Sequence, residues 1–271
     1  MTPMLRVLAA EDKGFHVPTV THLFGWEPLF SFSVAGFTFH VTTLMLVMLA
    51  TTALLSVLFV SAFSRARVVP TGLQNVMEAG IGFVRENIVL PTIGPEGDKW
   101  LPYLTTLFFF VFGLNFLEVV PVIQFPVTSH MAFPALLAMI TWVTYNFVGI
   151  REQGFIGYFR GMLFPPGVPK PIYLILTPVE FLSTLVFRPV TLAVRLFANM
   201  MAGHVMLTIF FLASAYFLWG SDALLLKPLA VGPIVLSIVL VGFEVFVGAI
   251  QAFIFTILTA VYIAGASHPE H

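Results

Sequence analysis

Cysteine is absent and charge is scarce. Of 271 residues, only 9% are Asp, Glu, Lys or Arg, against ~25% in an ordinary soluble domain. The missing cysteines exclude disulfides and thiolate metal sites, and leave the redox compartment unread. No metal or cofactor is expected. The net charge of −1 provides no field to recruit nucleic acid. Residues 1–15 include Glu11 and Asp12 and lack the charged-then-apolar layout of a signal peptide. They also lack the Arg- and Ser-rich character of a transit peptide, so no removed targeting segment is expected. There is no G-x-x-x-x-G-K-[ST] loop to cradle nucleotide phosphates, so the chain is not expected to be an enzyme on its own.

What is present is hydrophobic: 59% of the chain, in stretches longer than the ~20 apolar residues that cross a bilayer. The expectation is an all-α polytopic membrane protein forming a single membrane domain over 1–271. Residues 1–33 form an N-terminal segment, followed by a span at 34–63 that Arg65 and Arg67 close. In 71–89, Leu73, Val76, Met77, Ile81, Val84 and Ile88 recur at helical spacing among Gln74, Glu78, Arg85 and Glu86. That pattern predicts an amphipathic helix on the membrane surface. Spans at 101–122 and 131–150 come next.

Two longer apolar segments end the chain, at 172–219 and 229–264, separated by a turn at Gly220, Ser221, Asp222, Lys227 and Pro228. As straight helices they would be roughly 70 and 55 Å long, against a hydrocarbon core of ~30 Å. They are expected to form a hairpin of strongly tilted membrane helices.

The distribution of Lys and Arg gives the orientation. The first connection holds Arg65, Arg67, Arg85 and Lys99, and the next holds none. The third holds Arg151, Arg160 and Lys170, and the last holds only Lys227. The first and third connections are therefore expected in the cytoplasm, with the N-terminus outside and the C-terminus inside.

Arg195 lies deep in Thr191-Leu-Ala-Val-Arg-Leu-Phe-Ala198. An arginine at the centre of a membrane helix costs ~2.5–3.5 kcal/mol, so a carboxylate, water or a cavity has to compensate it. Arg188, next to Pro189 and nearer the cytoplasmic end, suits a side chain that reaches the headgroups. A hairpin turning near residues 222–224 sets His204 level with Glu244, and Arg195 near Gln251. Titratable groups at membrane depth mark a proton path, and histidine changes charge near neutral pH. Asn115 and Glu118, three residues apart, add an amide and a carboxylate to the second span. Asn199 shares the face of Arg195. His204, nine residues from Arg195, lies about 180° around the helix. The two therefore suit separate roles, one facing a partner and the other an internal channel.

Pro189-Val-Thr-Leu-Ala-Val-Arg195-Leu-Phe-Ala-Asn199-Met-Met-Ala-Gly203-His204 resembles the signature helix of the ATP synthase subunit a family. Gln251-Ala-Phe-Ile-Phe-Thr-Ile-Leu-Thr-Ala-Val-Tyr262 resembles that family's final helix. Glu180-Phe-Leu-Ser and Arg188-Pro-Val-Thr resemble its actinobacterial members. The resemblance covers nearly the whole chain, through span order and the Asn115–Glu118 segment.

The resemblance implies a proton-conducting subunit of a rotary F-type ATP synthase in a bacterial plasma membrane. It implies partners in the c-ring, the peripheral-stalk b subunits, the rest of the complex, membrane lipid and protons. Arg195 matches the arginine that faces the c-ring carboxylates, and Asn199 the asparagine after it. His204 and Glu244 match a titratable pair, swapped relative to the Glu-then-His order of some bacterial members. Asn115 and Glu118 match the polar pair that lines the entrance path, and Gln251 matches the glutamine near the arginine on the last helix, further along the proton path. Glu180 is carried over as a candidate for the cytoplasmic exit, although the stretch from Glu180 to Pro189 is one residue longer than in many bacterial versions. The rival readings are a secondary transporter of a small solute and a non-conducting scaffold. A transporter calls for matched broken helices in two halves, and no such halves are found. A scaffold leaves Arg195, Glu118, His204 and Glu244 without a role.

Overall fold

The computed structural model describes residues 30–34, 37–120, 127–164, 169–220 and 224–267. Among the described residues, five helices are long and apolar enough to cross a membrane: Thr43–Phe63, Pro95–Leu117, Ala132–Gln153, Tyr173–Trp219 and Lys227–Ser267. The first three have 21, 23 and 22 residues, and the last two have 47 and 41. The chain is an all-α polytopic membrane protein.

Before the first helix, β1 (Phe30–Val34) pairs antiparallel with β2 (Phe37–Val41), with Phe30 opposite Val41. Helix α1 runs over Thr43–Phe63, so its start lies later than the apolar run that begins at Val34. In residues 30–41, Phe and Val alternate with Ser and Thr, a period of two that suits a strand. Helix α2 (Leu73–Val84) follows. It continues through a π turn at Arg85–Val89, where the Leu90 N–H bonds back to the Arg85 carbonyl. Gln74 is buried on α2 because its side-chain amide closes the preceding loop. Its Nε2 donates to the Arg67 carbonyl at 2.9 Å, and its Oε1 accepts from the Arg67 N–H at 3.0 Å.

Helix α3 covers Leu101–Val119, after a 3₁₀ turn at Pro95–Trp100. Helix α4 covers Ala132–Gln153 and stops at Gly154, whose φ of 73° favours glycine. Helices α5 (Phe155–Leu163) and α6 (Tyr173–Leu182) follow. A second π turn, Ser183–Phe187, joins α6 to α7 (Arg188–Ala215). There the Arg188 N–H reaches the carbonyl of Ser183, five residues back. A π turn is how a helix takes in an extra residue without breaking, and this one sits inside the Glu180–Pro189 stretch. Helix α8 runs over Val231–Ser267.

The chain divides into two compact units. The described residues of the first fall within 30–53, 112–130 and 198–250. Those of the second fall within 54–111, 131–197 and 251–267. In the second unit, Val84, Ile88, Val89, Leu104, Tyr145, Val148, Tyr158, Ala260, Ile263 and Ala266 form the core. Small residues let its helices approach closely. A Cβ on Gly149 would strike the ring of Tyr158. Thr141 and Thr259 meet at 3.5 Å between their hydroxyls, a polar contact of the kind that joins helices in lipid.

Candidate functional site

In the first unit, Asn115 is 4% exposed on α3. Its Nδ2 donates to the Gly248 carbonyl on α8 at 3.1 Å, and its Oδ1 faces the Thr128 hydroxyl at 3.5 Å. Gly248 allows this approach, since a Cβ there would stand 3.2 Å from the Cβ of Asn115. Glu118 follows in the last turn of α3, and its side chain lies outside the described residues.

Glu244 on α8 projects towards α7. A Cβ on Gly203 would run into its Oε1 and stand 3.0 Å from its Cδ. Both carboxylate oxygens are shielded from bulk solvent. Glu244 also lies within electrostatic range of the His204 imidazole. Beside the carboxylate is a cavity of about 90 Å³, lined by Asn199, Gly203, Phe243, Glu244 and their apolar neighbours. One water needs only ~10–15 Å³ on this measure, so there is room for several. A carboxylate, an amide and a water-sized space can pass a proton by exchange between carboxyl and water. Asn199 is half-buried at the edge of this space.

In the second unit, Arg195 is exposed on α7. Leu192 and Leu196, 2% and 1% exposed, take the buried face of the helix. Among the described residues, Arg195 has no ion-pair or hydrogen-bond partner. Gln251 is 5% exposed, and its Nε2 has no partner among the described residues. The structure therefore joins Asn115 to α8, and Glu244 to Gly203 and His204. It draws no hydrogen bond between Arg195 and Gln251. Glu180 is half-buried on α6.

A further group was not read from the sequence. Arg188 lies over the ring of Tyr262, with its guanidinium carbon 5.2 Å from the ring centroid. This is a cation–π contact, a partner for Arg188 that the sequence did not name. Tyr145 packs 5.6 Å from Tyr262, centroid to centroid, and its buried hydroxyl donates to the Thr184 carbonyl in the π turn at 2.7 Å. The Tyr158 hydroxyl donates to Asn146 Oδ1 at 3.1 Å. Burial pushes the Tyr158 phenol up from its ordinary value, while Arg188 pulls it the other way. Isolated tyrosines in apolar helices gave no signal for this cluster. Gly203 did carry one, because a hairpin turning at 222–224 sets its neighbour His204 level with Glu244.

The family model described as ATP synthase A chain matches residues 43–264. The chain is 41% identical over 265 residues to ATP synthase subunit a of Frankia alni, covering 96% of this chain and 89% of that one. It is 38% identical over 270 residues to ATP synthase subunit a of Rhodococcus erythropolis, with 99% and 96% covered. It is 39% identical over 259 residues to ATP synthase subunit a of Streptomyces lividans, with 95% and 90% covered.

Proposed function

Because the chain belongs to the ATP synthase A chain family, we propose that it is the proton-translocating stator subunit a of a rotary F-type ATP synthase. It lies in a bacterial plasma membrane, with its N-terminus outside and its C-terminus in the cytoplasm. It works against a ring of c subunits and is held by the peripheral-stalk b subunits. Nucleotide chemistry lies elsewhere in the complex.

Protons enter from outside past Asn115, Glu118, His204, Glu244 and Gln251. They neutralise a c-ring carboxylate, which can then turn into lipid. After nearly a full rotation the proton leaves through a cytoplasmic half-channel, for which Glu180 is the candidate residue. Arg195 favours the ionised carboxylate opposite it, as an opposite charge does, and separates the two half-channels. Asn199 supports the same face. Each charge moved through 100 mV yields ~2.3 kcal/mol, so several protons are needed for one ATP.

The observation that carries this reading is Arg195 itself. It is a cation within an apolar helix, exposed on its own chain and without a partner among the described residues. The insertion cost of ~2.5–3.5 kcal/mol calls for a counter-charge from another subunit. Arg195→Ala is expected to abolish ATP-driven proton pumping in membrane vesicles while the complex still assembles. Pumping at the wild-type rate would refute the reading.

A further inference from the structure

The second unit holds a cavity that the proton path does not use. It has a volume of about 280 Å³ and is lined by Lys99, Trp100, Phe147, Val148, Arg151 and Glu152. One water needs only ~10–15 Å³ on the same measure, so the space suits a larger guest. Its polar wall comes from the 3₁₀ turn before α3 and from the last turn of α4. Lys99 pairs with Glu152 at 3.3 Å, which leaves the exposed Arg151 as uncompensated positive charge. The Trp100 indole N–H has no partner among the described residues.

The opposite wall is apolar and continues along the helix. Leu136, Ile140, Val143 and Phe147 are exposed on α4 and recur every three or four residues. One more turn along the same face brings Arg151. An apolar stripe about 16 Å long, roughly one leaflet of a ~30 Å hydrocarbon core, thus ends in a basic pocket that Trp100 helps to line. A soluble anion would use the pocket but not the stripe, whereas a lipid uses both.

From this we infer that the pocket binds the phosphodiester headgroup of an anionic phospholipid, whose acyl chains lie along the Leu136–Phe147 face of α4. Basic pockets at the cytoplasmic ends of membrane helices suit such headgroups, and tryptophan favours the interface. The inference rests on the membrane-embedded fold and its Lys and Arg distribution. It does not depend on the role of Arg195.

The test uses the intact detergent-solubilised complex, delipidated and then offered phosphatidylglycerol or phosphatidylcholine, with retained lipid counted by native mass spectrometry. Wild-type complex is expected to retain at least one phosphatidylglycerol more than Arg151→Gln complex, and to prefer it over phosphatidylcholine. Affinity is expected to fall roughly five-fold for each cation removed. Arg151→Lys should keep the site, because it keeps the charge. Equal retention by wild type and Arg151→Gln overturns the inference, as does equal retention of the neutral lipid. Displacement of the lipid by millimolar inorganic phosphate assigns the pocket to a free anion and also overturns it. Proton pumping by Arg151→Gln vesicles, measured alongside, separates failure of this inference from failure of the proton-path reading.

Discussion

Gly203→Ala probes the contact between Gly203 and Glu244 most directly. The added Cβ would occupy the position of the Glu244 Oε1 and stand 3.0 Å from Cδ and 3.5 Å from Cγ. The obstacle is the end of a flexible side chain rather than backbone, so the carboxylate moves and the helices stay. The folding cost therefore falls at the low end of the ~1–3 kcal/mol typical of overpacking, and the complex is expected to assemble. The carboxylate, however, leaves its place beside the 90 Å³ cavity. Misplacing a reacting group by about one ångström can cost ~100-fold in rate, so a fall in flux of ~10–100-fold is expected. The assay is passive proton flux through vesicles stripped of the catalytic sector and driven by a potassium diffusion potential. Adding Glu244→Asp, which withdraws the carboxyl by one methylene, should recover part of the loss. Wild-type flux in Gly203→Ala would refute the reasoning. So would a low flux that Glu244→Asp leaves unrelieved.

Two other expectations concern the buried polar groups. His204→Ala and Glu244→Gln are each expected to slow passive proton flux in the same vesicle assay, and unchanged flux in both would remove the pair from the path. Tyr145→Phe leaves the Thr184 carbonyl without its hydroxyl donor. Losing a buried hydrogen bond of this kind costs ~1–3 kcal/mol, which should lower the midpoint of heat-induced release of this chain from the complex. An unchanged midpoint would mean that the bond contributes nothing to holding the π turn.

The membrane class was legible from the scarcity of charge, because an uncharged helix has nowhere else to go. The spans were legible for the same reason, since apolar length alone defines them. A turn near residues 222–224 sets His204 level with Glu244, and the structure brings the Glu244 carboxylate against Gly203, one residue away. The strands Phe30–Val34 and Phe37–Val41 straddle the expected start of the first span at residue 34, because their phenylalanines and valines count as apolar in any hydropathy window. The π turns were not visible either, since Arg85–Val89 and Ser183–Phe187 carry no composition that separates them from α-helix. The sequence offered no partner for Arg188. An arginine near a helix end can reach the headgroups or a ring, and only tertiary packing brought Tyr262 beneath it. Gly248 likewise gave no warning that it makes room for Asn115.

Disulfide trapping offers the most direct measurement of where Arg195 faces, because the chain has no cysteine of its own. Single cysteines at Thr191, Leu192 and Leu196 would each be paired with a cysteine placed beside the c-subunit carboxylate. Thr191 is exposed, one turn from Arg195 on the same face, while Leu192 and Leu196 are buried. The account predicts rapid cross-linking at Thr191→Cys and none at Leu192→Cys or Leu196→Cys. Cross-linking at either buried position, or none at Thr191→Cys in an assembled complex, would contradict it.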